Sequence, residues 1–155
     1  MAAAGLLAFV FLAGCGNGGG TDTVISSRPS SSQLSAMSSY FLRHYWGGTG
    51  PTSRAGCATY SLGEQATTND RLVVYTQVIC QQCPEGTGTA AITPAVFVLQ
   101  GDAVRSAQAD TEPGDPMFSD VIARIFPPSL RSAANDQAIP NVQALVRQAA
   151  AKGGC

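Results

Sequence analysis

Five cysteines and a single histidine are the residues of this 155-residue chain best suited to chemistry. Two of the cysteines stand close together, in Cys80-Gln81-Gln82-Cys83-Pro84. A C-x-x-C pair is a candidate redox dithiol, because a neighbouring thiol and a helix N-terminus both favour the attacking thiolate. That role places the second cysteine in a helix, but Cys83 is followed by Pro-Glu-Gly-Thr-Gly-Thr, which does not hold one. His44 with Cys80 and Cys83 supplies three metal ligands where a structural zinc site wants four. The spacing of Cys57, Cys80, Cys83 and Cys155 is not that of two zinc knuckles, so no metal site is assigned. The same four cysteines make two disulfides, with three connectivities open. Nucleophilic catalysis would have to run through His44, and no G-x-S-x-G elbow accompanies it. Glu64, Asp70 and Glu85 fall in segments that read as solvated loops. The Gly-rich stretches 47–50 and 86–88 lack the spacing and lysine of a phosphate loop, so no cofactor is implied. No catalytic residue follows from these patterns. Tyr40, His44, Tyr45 and Trp46 cluster at the end of one helical stretch and form the candidate pocket or partner surface.

The elements that must position these residues read as follows. Leu34, Met37, Phe41 and Tyr45 fall on one face of a helix over residues 34–46. Ser32 caps it if the helix begins at Gln33. Strands follow at 57–63, 71–80, 92–100 and 103–110, with the third apolar enough to be buried on both faces. Gly101-Asp102 suits a two-residue hairpin with glycine first. A two-residue turn at Thr68-Asn69 sets Cys57 opposite Cys80 and leaves Cys83 for Cys155. That register puts Cys57, Thr59 and Ser61 on the face of Leu72, Val74 and Val78. A one-residue shift puts Ala58, Tyr60 and Leu62 there instead, and a bulge reconciles the two. Asp115-Pro116 starts a helix whose stripe is Phe118, Val121, Ile122 and Ile125, and Pro127-Pro128 stops it. Ser129 to Ala134 adds a short helical turn. A last helix carries Val142, Leu145, Val146 and Ala149 on one face and ends at Gly153-Gly154. The order is one helix, an antiparallel meander of about four strands, then two or three helices. It predicts a two-layer α+β domain with helices on one face of the sheet.

At the N-terminus, about eleven apolar residues from Ala3 to Ala13 are too few to span a bilayer, which takes roughly 20. They fit the apolar core of a secretory signal. The run ends in Leu12-Ala13-Gly14-Cys15, which resembles the lipobox of bacterial lipoproteins. The resemblance implies cleavage before Cys15 and lipidation of its thiol, and two or more acyl chains anchor stably. The chain then divides into a signal at 1–14, a lipidated cysteine and Gly/Ser-rich tether at 15–33, and a domain at 34–155. Nine basic and ten acidic residues, scattered singly, leave a net charge of −1 and argue against a nucleic-acid partner. The basic residues are nearly all Arg, which suits a high-GC bacterium. Residues 92–130 are similar to uncharacterised secreted bacterial α+β domains at Pro94, Asp102, Pro113, Gly114, Asp115, Phe126 and Pro127. That likeness implies a fold and no activity. Ile92 to Val104 resembles the Thr-Pro passage of thioredoxin-like proteins, but nine residues between Cys83 and Thr93 are too few for a crossover helix. The expectation is an exported, membrane-anchored lipoprotein, non-catalytic, that binds an envelope protein or small ligand. The alternative is a membrane-tethered thiol–disulfide protein using Cys80 and Cys83.

Overall fold

The computed structural model describes residues 28–46, 54–67, 70–83, 90–109, 118–135 and 139–155. The lipobox with Cys15, the Thr68-Asn69 turn, Glu85, the Asp115-Pro116 helix start and both Gly-rich stretches lie outside these residues. The elements are α1 (Ser31–His44), β1 (Arg54–Ala66), β2 (Arg71–Cys83), β3 (Ala91–Gln100), β4 (Ala103–Ala109), α2 (Phe118–Ile125), α3 (Pro128–Asn135) and α4 (Val142–Gly153). The strands form one antiparallel sheet in chain order, β1-β2-β3-β4. The fold is therefore α+β: an N-terminal helix, a four-stranded meander and three C-terminal helices.

Helix α1 begins earlier than its apolar stripe implies. Ser30, not Ser32, is its cap: the Ser30 hydroxyl accepts from the Gln33 N–H, and the Gln33 side chain accepts from the Ser30 N–H. Ser-x-x-Gln is the spacing at which both bonds close, and it satisfies two orphan donors at once. Residues 31–33 are thus helix rather than tether. Met37 and Phe41 then point into a core built with Val74, Val78 and Cys80 of β2 and Ala95, Phe97 and Leu99 of β3.

Strands β1 and β2 use both of the registers weighed above. Cys57 pairs with Cys80, and a bulge between Ser61 and Gly63 shifts the hairpin end by one, so that Glu64 faces Val74. The bulge lets Leu62 pack on the second core, around Tyr75, Val96, Ile122 and Phe126, while Ser61 keeps the face of Cys57. It also corrects the reading of Glu64, which is no loop carboxylate: it lies inside β1 and is 3 % exposed.

The two cores lie on opposite faces of the sheet, since neighbours such as Val74 and Tyr75, or Val96 and Phe97, belong to different ones. Helix-on-sheet packing therefore occurs on both faces rather than one, as the two-faced burial of β3 requires. Helix α1 covers the first face. On the second, the buried Gln77 of β2 donates through Nε2 to the Ala133 and Ala134 carbonyls of α3, at 2.8 and 3.3 Å. Helix α4 lies on the same side over β1 and β2. It approaches so closely that a Cβ on Gly56 would overlap the Ala149 carbonyl and the Gly153 N–H. The β3–β4 turn carries Gly101 at φ +59°, the sign that its first position needs.

Candidate functional site

The four cysteines of the domain form two disulfides. Cys57–Cys80 bridges β1 and β2 between directly opposed residues, with Cα atoms 4.1 Å apart. Cys83–Cys155 ties the end of β2 to the residue beyond α4, with Cα atoms 5.5 Å apart. Both pairs are those set by the Cys57–Cys80 register. Cys80 and Cys83 are three residues apart on one strand, so their side chains leave opposite faces. Cys57 and Cys80 are buried in the α1 core. Among the described residues no three His, Cys, Asp or Glu side chains converge.

The aromatic cluster divides. Tyr40 and His44 lie ring against ring, with centroids 4.2 Å apart. Together with Arg43 and Asp102 they line an open cleft of about 330 Å³ against the β3–β4 turn. Tyr45 turns inward. Its ring stacks on Phe41 at 5.2 Å and its hydroxyl donates to the Ala107 carbonyl at 2.6 Å. Burial, and then the neighbouring Tyr40, push the Tyr45 phenol above its ordinary value near 10. Tyr45 borders a separate cleft with Arg124 and Ile125, and Trp46 packs half-buried on the α1 core. The four residues thus share a helix end without sharing one pocket.

A larger groove, of about 430 Å³, runs along the outer edge of β1 between α1 and α4. Thr59, Tyr60 and Ser61 form its floor, Leu34 stands on the α1 side and Leu145 on the α4 side. Arg28 and Lys152 bring two cations to it, and among the described residues its lining holds no acidic side chain. Lys152 also lines a smaller cleft of about 230 Å³ with Ser38, Gly56 and Cys57, so both clefts follow the same strand edge. Burial pushes the Lys152 ammonium below the usual lysine value. Beneath the groove, the Ser38 and Thr59 hydroxyls are hydrogen-bonded at 2.9 Å, and Ser38 also donates to the Leu34 carbonyl.

Sequence reasoning missed this groove because its residues come from three separate elements and belong to no motif. The available signal was positional: β1 is the outer strand of a meander, and the small residue Gly56 admits a helix against it. Comparison of the chain with protein-family models, with curated proteins and with solved structures finds no match.

Proposed function

We propose that the protein is an exported, lipid-anchored lipoprotein of the bacterial cell envelope whose α+β domain is a non-catalytic binding module. The observation that carries this reading is the separation of Cys80 and Cys83 into two different disulfides on opposite faces of β2. With both cysteines committed to the scaffold, the C-x-x-C is not a dithiol, and the largest of the clefts described above, the β1 edge groove, is the feature best suited to a ligand. Two disulfides fit an oxidising compartment outside the cytoplasm. Among the described residues no helix is long and apolar enough to cross a membrane. In this reading Cys15, at the lipobox Leu12-Ala13-Gly14-Cys15, supplies the anchor.

The test is metabolic labelling of bacteria expressing the full chain with an alkyne fatty acid, alongside a non-reducing peptide map. Label on the wild type and none on Cys15→Ala is expected, with Cys57–Cys80 and Cys83–Cys155 as the bridged peptides. An unlabelled wild type removes the lipoprotein reading. A Cys80–Cys83 peptide in the map restores thiol–disulfide exchange in place of binding.

A further inference from the structure

We propose that the β1 edge groove binds an extended acidic peptide, which adds to the sheet as a fifth strand beside β1. The proposal rests on the reading of the domain as a binding module and names its ligand class. The first argument is backbone geometry. A Cα–Cα distance of 4.1 Å between Cys57 and Cys80 belongs to a non-hydrogen-bonded antiparallel pair. Gly56, Ala58 and Tyr60 therefore carry the bonds to β2, and the N–H and C=O groups of Thr59 and Ser61 point away from it. Both line the groove floor together with Tyr60, Thr59 buried at 6 % exposure and Ser61 half-buried. Among the described residues, no backbone bond outside the sheet ladders engages either of them.

A row of outward donors and acceptors is a template for another strand. An extended peptide matches it group for group, and alternate side chains then fall toward opposite walls. Leu34 on one wall or Leu145 on the other would receive the apolar side chains, which all fall on one side of the added strand. A fatty acid or other small amphiphile would satisfy the walls and leave the floor unpaired, at the cost that unpaired buried backbone groups carry. The volume of about 430 Å³ lies within the range of ligand clefts, roughly 300–1,000 Å³.

Charge selects the sequence of the peptide. Among the described residues, Arg28 and Lys152 are the charged side chains lining the groove, so an Asp or Glu side chain entering it meets two cations. A second copy of this chain is disfavoured as the occupant. Edge-to-edge pairing of two β1 strands would set the Arg28 and Lys152 of each copy against those of the other.

The test uses the purified full chain in detergent and a panel of heptapeptides. The panel holds acidic members such as EVTVDVT, their lysine counterparts such as KVTVKVT, and acidic members with alternate backbone nitrogens methylated. Binding is read by fluorescence anisotropy, and the amide exchange of Thr59 and Ser61 by NMR. Acidic peptides are expected to bind and slow those two amides at least tenfold. Lysine peptides and methylated peptides are expected to lose binding, and Lys152→Glu to weaken the acidic ones at least tenfold. Equal binding of all three classes, or no binding by the acidic peptides, overturns the proposal. So does protection of Thr59 and Ser61 in the peptide-free protein, which means that the chain itself or a second copy already fills the edge. Acidic binding that leaves those amides unmoved overturns the groove assignment and leaves the binding-module reading standing. An unlabelled Cys15 removes the lipoprotein reading without touching the peptide data.

Discussion

Tyr45 joins the last turn of α1 to β4, the outer strand far from the groove, through its bond to the Ala107 carbonyl. Tyr45→Phe keeps the ring stacked on Phe41 and removes only that bond, so urea denaturation should show a loss of about 1 kcal/mol at pH 7. The raised phenol pKa has a definite sign. Above about 10 the unfolded chain releases the tyrosine proton while the folded chain still holds it. Stability should therefore fall as pH rises from about 10 through the folded value, and Tyr45→Phe should flatten that part of the profile. At this scale the sequence was only partly legible. The stripe of Met37 and Phe41 was readable because a helix repeats its own spacing. The burial of Glu64 and Gln77 was not, because each is buried by partners distant in sequence.

Among the elements, the tightest approach is that of α4 to β1 at Gly56. Gly56→Ala sets a methyl group against helix backbone, which cannot rotate out of the way as a side chain would. A loss of about 1–3 kcal/mol is expected. Calorimetry should record a lower melting temperature, and NMR should show the shifts of Ala149 and Gly153 moving first. The sequence marked most elements and erred mainly at their ends. The Ser30–Gln33 capping box lay in plain sight, but the apolar stripe drew the start of α1 toward Leu34. The β1–β2 register was readable only as two competing halves, because a bulge combines two face patterns that neither half contains alone.

For the whole molecule, the order of helices and strands was legible because each break is marked by Gly, Pro or Asn. The covering of both sheet faces was implied only by the apolar run of β3. The longest covalent tie is Cys83–Cys155, across 72 residues. Replacing both by Ser should cost about 2–4 kcal/mol, chiefly through the freedom regained by the unfolded chain. Hydrogen exchange should show α4 losing protection before β2 and β3, since the bond holds the far end of that helix to the sheet. If α4 and the central strands lose protection together, the bond acts on the domain as a single unit.

The two disulfides also make the chain a pair of rings in series. One ring closes 57–80, the other closes 83–155, and only Gln81-Gln82 lies between them. A protease that cuts once inside either ring opens a loop but releases nothing, because both new ends stay bound through sulfur. Shedding the domain from its N-terminal segment takes a cut before Cys57 or in the link between the rings. That link lies within strand β2, whose Gln81 is buried. Under the proposed anchoring through Cys15, a single cut in the stretch ahead of Cys57 is the one that would detach the whole sheet from the lipid.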